Sequence, residues 1–171
     1  MPKEAAVALV IAEVRGSPSV LLVRRARRVE DPWSGDVALP GGRKKSSDPS
    51  LLDTAIRECA EETGVDLSGL RPVITLGPFR SHADPEMLVW AFAFTLPEVP
   101  KVVPGEEVEE AFWVPLAELT ESMGMAEVKG RTVEAYAWRG RVIWGLTKRI
   151  LDRALPLLSQ LRRGRPGWQP T

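Results

Sequence analysis

The strongest constraint on how this chain folds is a run of charged residues, RECAEETG at positions 57–64, inside a helical pattern of apolar residues. The surrounding residues predict a helix over 49–63, with Asp48 as N-cap, Pro49 at the first position and Gly64 just past the end. Apolar residues recur at i, i+3, i+4 and i+7, which gives the helix one apolar stripe. They are Leu52, Ala55, Ile56 and Cys59. We therefore expect this stripe to pack on a core, with the charged residues beside it.

Three carboxylates converge on this predicted helix. At about 100° per residue, Glu58, Glu61 and Glu62 fall within roughly a 100° sector. Like charges at i, i+4 are destabilising by about 0.2–0.5 kcal/mol, so the group favours a bound cation. Oxygen ligands select a hard ion such as Mg²⁺ or Mn²⁺ over Zn²⁺. Arg57 can pair with Glu61 one turn on. A solvated acidic helix face explains the same residues, and the helix alone leaves both interpretations open.

A glycine pair precedes the helix and favours the first interpretation. Gly41 and Gly42 follow a short apolar run at 37–39, and without side chains they let the backbone approach a metal or phosphate closely. Arg43 and Lys44 add positive charge beside this turn. Glycines, cations and carboxylates together indicate a site for a metal-bound phosphate group.

The segment from Gly42 through Val65 resembles the Nudix box, whose pattern is a Gly, five residues, a Glu, seven residues, then Arg-Glu-x-x-Glu-Glu-x-Gly. The second half matches in full at 57–64. The first half is one residue longer than the standard box, and its Glu position falls on Pro49, with Asp48 beside it. In the family that glutamate helps to brace the loop and is not a principal metal ligand, so the departure leaves the expected activity in place.

The resemblance implies an α/β fold, the Nudix α/β/α sandwich with a mixed β-sheet flanked by helices, here as a single domain over residues 1–171. It also implies metal ligands: Glu58 and Glu62 one turn apart, Glu61 as a third ligand or one acting through water, and the carbonyl of Gly42. Arg57, Glu58 and Glu61 are the expected catalytic residues.

The family often takes a further acidic residue from a later loop. The run Glu106-Glu107-Val108-Glu109-Glu110 lies just before FWVPL at 112–116, which is similar to the segment that follows that loop. Glu107 and Glu110 are therefore candidate metal ligands. A solvated acidic loop is the alternative for either residue.

The implied reaction is hydrolysis of a phosphoanhydride in a nucleoside diphosphate linked to another group. Mg²⁺ or Mn²⁺ would neutralise and orient the diphosphate and lower the pKa of a bound water. Either Glu61 or a residue of the later acidic loop would accept the proton. Arg25, Arg43 and Lys44 are candidate phosphate contacts, although exposed basic side chains near a turn are often simply solvated.

The residues upstream of the glycine pair suggest a substrate. The segments at 21–26 and 35–42 are similar to the signature that precedes the box in coenzyme A diphosphatases. The match has three departures: the spacing from Ala26 to Gly35 is one residue long, Asp31 stands in place of Arg, and Leu39 stands in place of Phe. Coenzyme A is thus one hypothesis, beside nucleotide sugars, dinucleoside polyphosphates and nucleoside triphosphates. A catalytically silent Nudix-fold binding module is the alternative of another class, and the intact glutamate pairs argue against it.

Composition excludes other classes of function. The chain has 23 Lys and Arg against 23 Asp and Glu, so it lacks the basic excess of a nucleic-acid binder, and an RNA- or cap-directed pyrophosphatase is disfavoured. One cysteine excludes an internal disulfide and a Cys-based zinc site. Residues 1–16 carry Glu4 and Glu13 around a short apolar run, which is neither a signal peptide nor a membrane span. We expect a cytoplasmic protein, and Trp138 and Trp144 suit either a homodimer interface or the core.

The remaining elements are predicted from apolar runs and turn residues. A hairpin joins strands at 5–12 and 20–23, and a long helix spans 141–161, with Pro156 expected to kink or end it. Four further strands are expected at 73–79, at 87–96 as a central strand, at 111–114 and at 132–138.

Overall fold

The computed structural model describes residues 3–27 and 36–163. Ten strands and three helices follow one another within these ranges. They are β1 (Lys3–Val14), β2 (Ser17–Arg25), β3 (Val37–Ala38), β4 (Gly41–Arg43), α1 (Leu51–Thr63), β5 (Ile74–Arg80), β6 (Met87–Thr95), β7 (Val108–Pro115), α2 (Leu116–Glu121), β8 (Met123–Val128), β9 (Arg131–Trp138), β10 (Arg141–Ile143) and α3 (Gly145–Arg163).

A seven-stranded mixed sheet forms the middle layer. Its order is β3-β2-β1-β6-β5, with β4 also paired to β1 and β7 to β2. The pair β1–β6 is parallel, and the other pairs of this sheet are antiparallel. The predicted hairpin of β1 and β2 and the central position of β6 are confirmed. A separate three-stranded sheet has the order β10-β9-β8.

Strands β1 and β2 separate soon after their hairpin. They pair only where Ile11–Val14 meets Ser17–Val20. Beyond that point β3 pairs with β2, and β4 pairs with β1 through Gly41–Arg43. The glycine pair therefore lies in a gap between the two strands and is hydrogen-bonded into the central sheet.

The two faces of the sheet are covered by different elements, because successive side chains of a strand point to opposite faces. On one face, Ala6 and Ala8 of β1 pack with Ala55 and Cys59 of α1, all of them buried. On the other face, Leu9 of β1 belongs to a cluster that includes residues of α2, α3 and the small sheet. These partners include Leu119, Tyr136, Ile143, Leu151 and Leu158. The predicted mixed sheet flanked by helices is confirmed.

The start of α1 differs from the prediction, and its end agrees. The helix begins at Leu51 with Ser50 as N-cap, whose hydroxyl oxygen accepts from the Asp53 N–H at 3.1 Å. The prediction of Asp48 as N-cap is wrong, because Arg57 and Thr54 occupy its carboxylate. Gly64 ends the helix in the left-handed conformation with φ 73°, as the sequence predicts.

The C-terminal helix also begins later than predicted. Residues 141–143 form strand β10, and α3 begins at Gly145. A turn at Arg139-Gly140, where both residues have positive φ, sends the chain back along β9. Pro156 lies inside α3 without ending it, so the expectation that it would end the helix is wrong. The helix continues because buried residues lie on both sides of this exposed proline, among them Ala154 and Leu158.

Two further observations bear on predictions from composition. Trp138 is buried and stacks on Phe112, with ring centroids 5.8 Å apart, which places it in the core. No helix within residues 3–27 and 36–163 combines the length and the apolar character needed to cross a membrane.

Candidate metal and phosphate site

Helix α1 presents its three carboxylates in two directions. Glu58 and Glu62, one turn apart, lie against β4, whereas the Glu61 side chain is 52% exposed. The main-chain N–H of Gly41 donates to Glu62 Oε2 at 3.2 Å. Glu58 lies beside Gly42, where an added Cβ would be 2.6 Å from its carboxylate carbon. The glycine pair and the helix therefore enclose the two inner carboxylates.

The two glycines permit two different close approaches. A Cβ on Gly41 would lie 2.4 Å from the Ala6 carbonyl oxygen and 2.7 Å from the Cα of Val7, both in the backbone of β1. A Cβ on Gly42 would instead meet the Glu58 carboxylate, with Oε1 at 2.6 Å. Gly41 thus lets β4 join the sheet, and Gly42 lets the same strand approach the helix.

Arg57 is anchored by Asp48, in the connection between β4 and α1. Arg57 Nε lies 2.8 Å from Asp48 Oδ1 and Nη2 lies 2.9 Å from Oδ2. The carboxylate, which is buried, also accepts from the Thr54 hydroxyl at 2.9 Å and from the Lys45 N–H at 2.8 Å. Hydrogen bonds from Arg57 hold the pKa of Asp48 well below its usual range. The side chain is therefore a permanent anion that orients the guanidinium.

The remaining donors of Arg57 reach the acidic residues of its own helix. Nη1 donates to Glu58 Oε1 at 2.9 Å and to Glu61 Oε1 at 3.2 Å, as the predicted pairing with Glu61 requires. Nη2 also donates to the carbonyl oxygen of Arg43 in β4 at 3.3 Å. The Arg57 guanidinium thus contacts β4, the connection between β4 and α1, and two of the three glutamates.

Glu62 is the carboxylate whose protonation is most disturbed. Burial, and after it the charge of Glu58, raises the pKa of Glu62 to about 8. The Gly41 N–H and the charge of Arg25 oppose this shift, and Glu107 adds to it. A cation bound beside Glu62 would add to the positive charge of Arg25 and favour the ionised form of the Glu62 carboxylate.

A connection after β6 brings a fourth acidic residue to the site. The Val103 N–H donates to the Thr63 carbonyl at 2.9 Å and the Gly105 N–H to the Glu62 carbonyl at 3.0 Å, both at the end of α1. Glu107 follows and interacts electrostatically with Glu62. Of the two acidic candidates from this region, the structure brings Glu107 to the carboxylates of α1.

Glu110, the other candidate, lies in an ion-pair network. It belongs to strand β7, not to a loop, and faces Arg24 across the β2–β7 pair. Its carboxylate accepts a hydrogen bond from Arg141 and lies 3.9 Å from Arg24 Nη1. Arg141 in turn stacks on Phe112, 4.3 Å from the ring centroid. None of these contacts joins Glu110 to the carboxylates of α1.

The three basic residues predicted to contact phosphate occupy different places. Arg25, at the end of β2, interacts electrostatically with Glu62. The side chain of Arg43 is exposed and interacts with Asp84 of a neighbouring loop. Lys44 is exposed beside it. Arg25 thus lies by the carboxylates, and the other two lie at the rim of the turn.

Sequence reasoning missed Asp48 as the anchor of Arg57, and it missed Gly105. A signal for Asp48 exists, since it stands beside the position of the family's bracing glutamate in the longer box. Pro104-Gly105 indicates a turn but not the helix that the turn contacts.

The chemistry of these residues fits a hard divalent cation. All the donors are oxygens, and Glu62 is a half-buried carboxylate beside Glu58 that accepts a hydrogen bond from the Gly41 N–H. Within residues 3–27 and 36–163, no three Asp, Glu, His or Cys side chains are arranged to hold a metal ion as they stand. The carboxylates of Glu58 and Glu61 accept hydrogen bonds from Arg57.

A comparison with known families decides the assignment. The NUDIX domain family model matches residues 2–136, which contain the glycine pair, α1 and the acidic connection. This chain is a member of the Nudix family. Nudix hydrolases generally need divalent metal ions, in line with the all-oxygen donor set. The prediction of a Nudix pyrophosphohydrolase is confirmed at the level of the family.

Individual relatives agree with this assignment. The Nudix chain is 36% identical over 146 residues to an uncharacterized protein of Schizosaccharomyces pombe, covering 69% of this chain and 43% of that protein. It is 32% identical over 169 residues to the mitochondrial coenzyme A diphosphatase NUDT8 of Homo sapiens, covering 92% of this chain and 70% of that protein. A MutT/nudix family protein of Enterococcus faecalis has the same fold, with a TM-score of 0.67 at 19% identity over 94% of this chain and 63% of that one.

Proposed function

We propose that this protein is a metal-dependent hydrolase that cleaves the phosphoanhydride of a nucleoside diphosphate linked to another group, with coenzyme A as the leading substrate. The observation that carries the proposal is the enclosure of Glu58 and Glu62 by the Gly41-Gly42 turn. A backbone without side chains can approach these two carboxylates closely, so its own polar groups can contact a small cation or a phosphate oxygen held there. The similarity of residues 21–26 and 35–42 to the coenzyme A diphosphatase signature, together with the human relative, supports the substrate.

Each residue of the site has a proposed role. Glu58, Glu62 and the carbonyl of Gly42 would hold the ion, with Glu61 and Glu107 as further ligands, direct or through water. A bound divalent cation neutralises the diphosphate and lowers the pKa of an attacking water. Glu61 is more exposed than Glu58, so it can accept a proton and pass it to solvent. Glu107 is the other candidate for that proton transfer.

Basic residues complete the proposed substrate site. Arg25 would contact the phosphate nearest the carboxylates, and Arg43 and Lys44 would contact the part of the substrate at the rim. Arg57 would act as a positioning residue, since its donors are taken by Asp48, Glu58 and Glu61. Glu110 is left out because Arg141 and Arg24 hold it.

The test is turnover of a substrate panel with and without Mg²⁺ or Mn²⁺, with products identified by mass. The panel contains coenzyme A, a nucleotide sugar, a dinucleoside polyphosphate and a nucleoside triphosphate. We expect metal-dependent cleavage of coenzyme A to 4′-phosphopantetheine and adenosine 3′,5′-bisphosphate. Cleavage of another member instead would retain the enzyme and reject coenzyme A. No turnover with metal bound would favour the silent binding module.

A matched variant separates the site from the rest of the protein. Glu62→Gln keeps the shape of the side chain and a partner for the Gly41 N–H, so we expect loss of turnover with an unchanged fold. Unchanged activity would reject the metal site. A single domain, a cytoplasmic location, a homodimer and the lack of a nucleic-acid partner stay predictions from the sequence.

A further inference from the structure

The C-terminal end of α1 is capped by a segment distant in sequence. The last carbonyls of a helix have no partner within the helix and must find one elsewhere. Here the Thr63 carbonyl accepts from the Val103 N–H at 2.9 Å, and the Glu62 carbonyl accepts from the Gly105 N–H at 3.0 Å. These two hydrogen bonds therefore tie the position of the segment around Gly105 to the helix that carries the carboxylates.

Gly105 is packed against the helix so closely that the position has no room for a side chain. A Cβ at this position would lie 2.1 Å from the Glu61 carbonyl oxygen and 3.5 Å from the Glu62 Cα. Both atoms belong to the helix backbone, so no side-chain rotation could make room. Any other residue would push the segment away from α1.

The same segment carries Glu107 and is fixed on its other side. The Glu107 carbonyl accepts from the Ala26 N–H, just past β2, at 3.0 Å. The Val108 N–H donates back to the Gly105 carbonyl at 3.1 Å, which makes a tight turn between them. Glu107 is therefore held between the end of β2 and the end of α1, close enough for its charge to act on Glu62.

We propose that Gly105 is a positioning residue that sets the separation between Glu107 and the α1 carboxylates, so that one divalent cation is reached from both. This inference rests on the proposed function in one respect, namely that the site holds such a cation. Since Gly105 has no side chain, its whole contribution comes from the contact that it permits. If Gly105 acts by placing Glu107, its effect on cation binding must depend on the carboxylate of Glu107.

A double-mutant cycle with Mn²⁺ as the probe tests this dependence. The dissociation constant is measured on the full chain from the electron paramagnetic resonance signal of free Mn²⁺. We expect Gly105→Ala and Glu107→Gln each to weaken binding, by roughly tenfold or more. The double variant should bind no more weakly than Glu107→Gln alone. Gly124→Ala is the matched control, because a Cβ there meets nothing within 4 Å, and its affinity should equal that of the wild type.

Three results would overturn the inference. The first is a Gly105→Ala variant that binds Mn²⁺ as tightly as the wild type, and the second is a Glu107→Gln variant that does so. The third is a double variant in which the two losses of Mn²⁺ affinity multiply. If Gly105→Ala does not fold, Val103→Pro removes the neighbouring N–H, with Val103→Ala as its control. Only the proline variant should weaken Mn²⁺ binding, and equal affinities would again reject the inference. A wild type that binds no Mn²⁺ would overturn both proposals, whereas intact Mn²⁺ binding without turnover of any substrate would reject the proposed function alone.

Discussion

Arg57 and Asp48 form a two-point ion pair across the connection that leads from the glycine turn into α1, with N–O distances of 2.8 and 2.9 Å. The same guanidinium holds Glu58 and Glu61. Asp48 touches neither Glu58 nor Glu62. It nevertheless helps to fix the position of the Glu58 carboxylate, because it holds Arg57.

Asp48→Asn tests this dependence. The amide keeps the size of the side chain but loses the charge and one acceptor oxygen, so Arg57 is no longer fixed. We expect roughly a 10–100-fold loss in kcat/KM, as for other residues that orient metal ligands. Steady-state kinetics at saturating Mn²⁺ measures it. Ser50→Ala removes the N-cap instead and should lower stability while leaving kcat/KM unchanged. Equal kinetic losses in both variants would contradict the proposed link.

The raised pKa of Glu62 predicts proton release when metal binds. In the metal-free protein at pH 7 this carboxyl is mostly protonated, because its pKa is about 8. A cation requires the ionised form, so binding should release close to one proton at pH 7 and fewer as the pH rises past 8. Calorimetric titration with Mn²⁺ in buffers of different ionisation enthalpy measures the number. Glu62→Gln should release none.

The same shift gives a stability prediction with a definite sign. Between the ordinary pKa of 4.5 and about 8, the folded state binds more protons at Glu62 than the unfolded state does. Stability of the metal-free protein should therefore fall as the pH rises through this window. Urea unfolding of the wild type and of Glu62→Gln at pH 5 and pH 8 isolates the contribution. A difference between the two proteins that does not change with pH would contradict it.

Gly41→Ala should lower the stability of the protein, whereas Gly42→Ala should weaken its binding of Mn²⁺. The added methyl at position 41 meets the backbone of β1, so we expect a loss of stability of about 1–3 kcal/mol. At position 42 it meets a carboxylate that can rotate away, so stability should stay near that of the wild type while Mn²⁺ binding weakens. Urea unfolding and Mn²⁺ titration of both variants, beside Gly124→Ala, measure the two effects. Equal stability losses at both positions would contradict the distinction.

Glu110→Gln should affect stability and not metal affinity. The carboxylate pairs with Arg141 and Arg24, on the face of β7 that also carries Phe112. Removing its charge leaves Arg141 without its ionic partner. We expect a lower urea midpoint and an unchanged dissociation constant for Mn²⁺. A weaker affinity would return Glu110 to the set of ligand candidates.

Local patterns in the sequence were sufficient for the carboxylate helix and its C-cap. The spacing of Ala55 and Cys59 sets the buried face of α1, and Gly64 sets its end, since both signals act within a few residues. Asp48 shows where such signals fail. An acidic residue before a helix favours an N-cap, but here the competing partner Arg57 lies two turns into the helix and takes the carboxylate.

Elements that depend on distant partners were not predictable in the same way. Strand β8 has no alternation of apolar and polar residues, and its pairing with β9 defines it. The direction of Glu110 depends on where β2 places Arg24 and where β10 places Arg141. The role of Gly105 depends on a contact with the end of α1. That end lies some forty residues earlier in the sequence, and no local pattern predicts the contact.

Because β4 pairs with β1, the glycine turn of the site becomes ordered when the protein folds. Gly41 and Gly42 are strand residues of the central sheet, facing Val7 and Ala6, so freeing them means unzipping part of the core. Their conformational entropy is lost when the chain folds and not when a ligand arrives. A diphosphate therefore meets a surface that is already in shape, and little of its binding free energy is diverted into ordering this turn.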